Sequence, residues 1–105
     1  MKLFRMTDRS ALNLIGSQEE HKRKVIESLF DHFPRDRFVM VGDSGEQDAK
    51  IYADLARENP RHVSHIFIRN VTDESVDAFR EIFAGLPDDL WQVFREPSEI
   101  KFAPN

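Results

Sequence analysis

The stretch that decides the fold runs from residue 38 to residue 48 and has the sequence Phe-Val-Met-Val-Gly-Asp-Ser-Gly-Glu-Gln-Asp. Its first four residues are apolar and of strand-forming types, as expected for a strand buried on both faces of a parallel sheet. A polar turn with two glycines follows and leads into the next helical pattern. Ligands of open parallel sheets bind beyond the carboxyl ends of the strands, so this turn is the first place to look for a site.

Helical and strand patterns alternate on both sides of this stretch. Apolar residues recur at helical spacing from Glu19 to Phe33, and Pro34 ends that helix because the residue before a proline avoids helical dihedrals. A second amphipathic helix follows the turn, with Ile51, Tyr52, Leu55 and Ala56 on one side.

The rest of the chain continues the alternation. His62 to Val71 is predicted to form a strand, and Thr72 can cap a third helix. Lys2 to Met6 can form a short first strand, and Trp91 to Phe94 a last one. This order predicts an α/β domain with a parallel sheet and flanking helices.

The composition fits a single globular domain over residues 1–105. Hydrophobic residues make up 40% of the chain and charged residues 32%, and the formal charge of −4 argues against general nucleic-acid binding. The chain has no cysteine, which excludes disulfides, thiolate catalysis and cysteine-ligated zinc. Its longest apolar run is too short for a membrane span, and the N-terminus lacks the apolar core of a signal peptide, so we expect a cytoplasmic protein.

The turn after the predicted strand carries three carboxylates within six residues, including Asp43 at the strand tip and Asp48 in the first helical turn. Hard oxygen ligands that converge from a strand end and a helix start suit Mg²⁺. The alternative is structural: Asp43 and Ser44 cap the helix, while Gly42 and Gly45 shape a tight turn and permit positive φ.

Other functions whose sequence motifs contain similar residues fit this chain less well. The P-loop spacing GxxxxGK[ST] is absent, and the trypsin-like Gly-Asp-Ser-Gly string belongs to proteins longer and less helical than this chain. A Gly-Asp-Ser acyl hydrolase needs a late Asp and His. The only histidines after the turn are His62 and His65, and neither follows an aspartate at a suitable spacing.

Several segments between residues 21 and 71 together carry a family resemblance. They are His21-Lys22, Val25 to Leu29, Phe33-Pro34, the stretch 38–48, Ile51-Tyr52, Arg57 to Pro60 and Ile66 to Val71. Their pattern resembles the catalytic domain of the actin-patch-associated phosphatidate phosphatases, a branch of the haloacid dehalogenase superfamily. The resemblance implies a Rossmann-like fold, a Mg²⁺ cofactor and a phosphatidate-like phosphate ester as substrate.

The resemblance also implies roles for three residues. Lys22 falls at the place of the superfamily's third motif, a lysine that neutralises the phosphoryl group and the nucleophile. Asp43 and Asp48 match the fourth motif, an acidic loop that holds Mg²⁺. No residues match the first motif, a DxDxT stretch that supplies the nucleophilic aspartate, and none is assigned to the second.

The missing motif matters because phosphoryl transfer in the superfamily passes through an aspartyl-phosphate. We therefore expect residues 1–105 to form a single partial domain, the C-terminal half of a Mg²⁺-dependent phosphatase that is inactive alone. The alternative is a non-catalytic α/β interaction module. In the superfamily the nucleophile strand lies beside the acidic-loop strand, so its loss would leave Phe38 to Val41 as an exposed edge and favour a homo-oligomer. The competing expectation is that the N-terminal segment or Trp91 to Phe94 pairs with that edge.

Overall fold

Four parallel strands form one sheet in the order β1-β2-β3-β4 in the computed structural model, which describes residues 2–5 and 18–101. The strands are β1 (Lys2–Arg5), β2 (Phe38–Asp43), β3 (Val63–Arg69) and β4 (Trp91–Phe94). The predicted α/β fold with a parallel sheet is therefore confirmed. Met6, the last residue of the predicted first strand, lies outside the described residues.

Within the described part of the chain, three helices lie between successive strands, and they share one face of the sheet. They are α1 (Gln18–His32), α2 (Asp48–Glu58) and α3 (Val76–Ile82), with short 3₁₀ turns at Ser44–Glu46 and Pro97–Glu99. Because the strand order never reverses, right-handed crossovers place the described helices on the same side. The main core lies there and includes Ile26, Phe30, Met40, Ile51, Leu55, Ile66, Ile68 and Phe79.

The opposite face of the sheet carries a second, smaller apolar cluster. Val39, Phe67 and Phe94 are buried there, and Val41 and Ile100 pack against them. The side-chain amide of Gln92 holds the tail near this cluster: Nε2 donates to the Glu99 carbonyl at 2.6 Å, and Oε1 accepts from the Lys101 N–H at 2.8 Å. The alternation of core residues along β2 and β3 follows from the two-residue period of a strand.

The expectation that β2 is an exposed edge is wrong. β1 pairs with it in parallel register from Lys2↔Phe38 to Arg5↔Val41, and β3 pairs with its other side. The N-terminal segment therefore supplies the partner that the backbone N–H and C=O groups of β2 require, as the competing expectation had it. Within the described part of the chain, the outer strands are β1 and β4.

The start of α3 also differs from its sequence prediction. Ser75, not Thr72, is the N-cap, and its side chain accepts a hydrogen bond from the Ala78 N–H at 3.2 Å. Thr72 instead lies in the loop after β3, where its hydroxyl hydrogen-bonds to Ser44 at 2.7 Å. The loops after β2 and β3 thus meet at the carboxyl edge of the sheet, where the candidate site lies.

Candidate functional site

Asp43 ends β2 at the carboxyl edge and shapes the loop that follows. Its Oδ1 accepts a hydrogen bond from the Gly45 N–H at 2.9 Å and caps the 3₁₀ turn Ser44–Glu46. The side chain is half-buried. The structural role proposed for Asp43 from sequence, a cap, is therefore present, although it caps the 3₁₀ turn and not α2. The side chain of Glu46 lies outside the described part of the structure.

Asp48, the first residue of α2, is held in a buried ion pair beneath this loop. Its Oδ1 accepts from Lys22 Nζ at 3.1 Å, and its Oδ2 accepts from the Asp43 N–H at 3.0 Å. Lys22 and Asp48 are only 3% and 1% exposed. The structure therefore brings together all three residues that the sequence singled out, because Asp48 contacts the other two directly.

Gly42 is required by the position of Asp48. A Cβ placed on Gly42 would lie 2.5 Å from Asp48 Oδ2 and 2.7 Å from Asp48 Cβ, closer than real Cβ contacts. Gly42 and Gly45 permit positive φ but do not adopt it: among the described glycines only Gly85 has a positive φ. Gln47 takes the left-handed conformation before α2 instead, with φ 61°.

The electrostatics of the site are governed by burial. Loss of solvent raises the pKa of the Asp48 carboxyl above its usual value, although the hydrogen bonds from Asp43 N–H and from Lys22 act in the opposite direction. The same cause, with smaller contributions from Asp48 and Asp43, raises the pKa of the Tyr52 phenol. Tyr52 therefore remains a donor, and its hydroxyl donates to the Val41 carbonyl at 3.0 Å.

Ser44 braces the acidic loop against the loop after β3. Its Oγ accepts hydrogen bonds from the Val71 N–H at 3.0 Å and the Thr72 N–H at 3.1 Å, besides its contact with the Thr72 hydroxyl. A hydroxyl oxygen has two lone pairs, so both are engaged by backbone donors.

The acyl-hydrolase interpretation of Gly-Asp-Ser gains no support from the histidines of the chain. The two downstream histidines make contacts away from Ser44: His62 Nδ1 contacts the Asp36 carbonyl, and His65 Nδ1 contacts Ser64 Oγ. His62 precedes β3 and His65 lies in its first half, whereas Ser44 follows the opposite, carboxyl end of the neighbouring strand. The geometry thus gives Ser44 a structural task.

The donor set fits a Mg²⁺ site anchored by Asp43 better than one shared equally by two aspartates. Asp48 is fully buried, and the Lys22 ammonium on its Oδ1 would repel a second cation. Within residues 2–5 and 18–101, no group of three or more His, Cys, Asp or Glu side chains is arranged to hold a metal. Mg²⁺ can bind through a single carboxylate because it keeps most of its waters.

Sequence reasoning missed the supporting residues of the site. The sequence indicates Tyr52 as part of an apolar stripe and of the family resemblance but assigns it no role in the site, although it follows Asp48 by four residues and so lies on the same helical face. The brace between Ser44 and Thr72 joins residues 28 apart, and no local pattern indicates it.

Within the described ranges, no helix has the length and apolar character needed to cross a membrane.

A parallel α/β sheet with an acidic loop over a buried Lys–Asp pair defines an α/β domain that presents a polar site at the carboxyl edge of its sheet. The family model described as "Phosphatidate phosphatase APP1, catalytic domain" matches residues 1–70, which include β1 to β3 and all three singled-out residues. The chain belongs to this family, as the sequence resemblance predicted.

Two curated fungal proteins show the same relationship. The chain is 31% identical to phosphatidate phosphatase APP1 of Saccharomyces cerevisiae over 64 residues, which are 61% of this chain and 11% of that protein. It is 34% identical over 62 residues to an uncharacterized protein of Schizosaccharomyces pombe, covering 59% of this chain and 10% of the relative. The match therefore spans about a tenth of each relative. No solved structure matches the chain.

Replacing Gly42 by alanine should destabilise the fold by about 1–3 kcal/mol, because the added methyl group overlaps the Asp48 carboxylate and cannot be accommodated without moving it. Urea unfolding at neutral pH measures this. Gly45→Ala is the matched control: its Cβ would lie 3.3 Å from the nearest atom, Asp43 Oδ1, a much milder contact. Equal losses in the two variants would contradict the close-approach role of Gly42.

Lys22→Met should lower the free energy of unfolding by about 3–5 kcal/mol at neutral pH, because it leaves the Asp48 carboxylate buried without its cation. The loss should shrink as the pH falls. The raised folded-state pKa of Asp48 means that the folded chain binds more protons than the unfolded one, so stability is lost as pH rises from the unfolded pKa through the folded one.

Urea unfolding at several pH values between about 4 and 8, the range around and above an ordinary carboxyl pKa, checks this slope. Lys24→Met is the matched control, since Lys24 is exposed and pairs with Glu20 on the surface of α1. Its effect should be small and flat with pH. A Lys22→Met loss that does not change with pH would show that the buried carboxylate is not the cause.

Proposed function

We propose that this chain is the part of a Mg²⁺-dependent, phosphatidate phosphatase-like catalytic domain that contains the acidic metal-binding loop. The observation that carries the proposal is the buried contact chain from Lys22 through Asp48 to the Asp43 backbone, at the carboxyl end of a parallel strand. Burying two ions costs several kcal/mol each, and an apolar pair is often at least as stable. The buried ion pair is therefore better explained by a role in the site than by a contribution to the stability of the fold.

Each of the three residues has a distinct part in this proposal. Asp43 offers its carboxylate at the edge of the sheet, where Mg²⁺ would add Lewis-acid stabilisation to a phosphoryl group. Asp48 is the positioning residue, since it fixes the Asp43 backbone. Lys22 supplies a fixed positive charge beneath the loop, 3.1 Å from Asp48. The substrate class is a phosphate ester, and phosphatidate follows from the names of the family and of the yeast relative.

The same proposal holds that residues 1–105 are a partial domain that lacks the nucleophile. β1 lies directly beside the acidic-loop strand, the place that the nucleophile strand takes in the superfamily, and its sequence Lys-Leu-Phe-Arg contains no carboxylate. A strand that provides backbone pairing without an aspartate supports the fold but cannot form an aspartyl-phosphate.

A non-catalytic α/β interaction module is the second candidate function. It is favoured by the structural tasks of the loop: Asp43 caps the 3₁₀ turn, and Ser44 braces the neighbouring loop. Mg²⁺ binding separates the two candidates, because an interaction module has no need for it. A cytoplasmic location belongs to both and stays a prediction.

The chain should bind Mg²⁺ weakly, in the millimolar range expected for one carboxylate, and should release no phosphate from p-nitrophenyl phosphate. NMR titration should shift the amide signals of Gly42 to Gly45, and Asp43→Asn should abolish these shifts. Asp88→Asn, which removes an exposed carboxylate elsewhere, is the control and should retain them. Robust turnover that vanishes in Asp43→Asn would refute the partial-site proposal, and shifts that survive in Asp43→Asn would refute the metal ligand.

We also propose that the chain self-associates through the outer strands β1 or β4, each of which is paired on one side within the described sheet. Unpaired backbone groups along a strand form a template for a second chain. Sedimentation equilibrium at micromolar concentration should give a mass above that of the 12.3 kDa chain. A constant 12.3 kDa at all loading concentrations would overturn this proposal.

A further inference from the structure

Arg69 stands beside Asp43 at the carboxyl edge of the sheet. It is the last residue of β3, and its register partner on β2 is Asp43. Register partners of neighbouring parallel strands have their side chains on the same face of the sheet. The structure therefore places the backbone of an exposed arginine beside that of Asp43, with both side chains on one face of the sheet.

The Arg69 guanidinium is anchored by one hydrogen bond and has no acidic partner among residues 2–5 and 18–101. Its Nε donates to the Arg95 carbonyl at 3.3 Å, and among the described residues no carboxylate forms an ion pair with it. Arg95 differs in this respect, because its guanidinium pairs with Asp73. One hydrogen bond from Nε orients the planar group and leaves its Nη donors for a ligand.

The backbone that follows Arg69 is fixed on both sides. Asn70 and Glu74 exchange two hydrogen bonds of 3.0 Å, from Asn70 Nδ2 to the Glu74 carbonyl and from the Glu74 N–H to Asn70 Oδ1. Ser44 holds Val71 and Thr72 from the neighbouring loop. A binding group on such a fixed support loses little freedom when a ligand arrives.

We propose that Arg69 binds the phosphoryl group of a phosphate-ester ligand across the β2–β3 edge, a role that rests on the proposed function of the acidic loop. A phosphate dianion is repelled by the Asp43 carboxylate alone and needs a cation on its other side. The arginine fork matches two phosphate oxygens at once, which a lysine cannot do. Arg69 is then a binding residue that selects a dianionic group.

Inorganic phosphate is the probe, titrated into the whole chain at constant ionic strength and followed by amide chemical shifts. Arg69→Gln removes the charge and the guanidinium fork but keeps a polar side chain with a shorter amide donor. Arg61→Gln makes the same change at an exposed arginine before β3, at the opposite end of the strand. We expect Arg69→Gln to weaken phosphate binding by about tenfold or more, as for loss of a charge-assisted hydrogen bond, and Arg61→Gln to have less than about a twofold effect.

Equal weakening in the two variants would show that phosphate responds to net charge only, and an unshifted Arg69 region in the parent chain would show that it binds elsewhere. Either result overturns the role of Arg69. The proposed function is judged separately by Mg²⁺ shifts at Gly42 to Gly45, which Arg69→Gln should leave intact. Phosphate binding through Arg69 without any Mg²⁺ binding would support the arginine and refute the metal site.

Discussion

The ion pair between Lys22 and Asp48 is the interaction on which the arrangement of the site depends. It joins the first half of α1 to the first residue of α2, and the second oxygen of the same carboxylate holds the end of β2 through the Asp43 N–H. Three elements are thus fixed by one side chain that water does not reach. In so buried a place neither ion can lose its partner without a large cost, so the geometry is strongly imposed.

The strand order explains why the polar residues collect at one edge. A sheet whose crossovers all run in one direction puts its helices on one face and brings every loop after a strand to the same end. The loops after β2 and β3 then touch through Ser44 and Thr72, and Arg95 after β4 reaches Asp73 in the same region. The acidic loop is therefore part of a connected surface built by three successive strands.

Much of the fold follows from patterns that are local in sequence. The apolar run 38–41 and the helical spacing in α1 and α2 predict their elements because burial on a sheet or on one helix face imposes those periods. Non-local partners cannot be predicted in this way. The sequence predicts Thr72 as a helix cap, but Ser75 provides that cap, and Thr72 instead hydrogen-bonds to Ser44, 28 residues away. The sequence leaves the partner of β2 open between an exposed edge, the N-terminal segment and Trp91 to Phe94, because an apolar pattern predicts a strand but does not say which strand lies beside it.

The two aspartates of the acidic loop show where a motif stops being informative. Spacing alone assigns Asp43 and Asp48 the same metal-binding role, yet one is half-buried at a strand tip and the other is 1% exposed against an ammonium group. The environment of a carboxylate sets its charge, its pKa and its access to a cation, so identical residues in one motif take different tasks. Gly42 shows the same dependence, because its lack of a Cβ matters only through the nearness of Asp48. The sequence therefore indicates which residues form the site. The different roles of these residues depend on how deeply each is buried, and the spacing of residues in the sequence does not predict burial at that level.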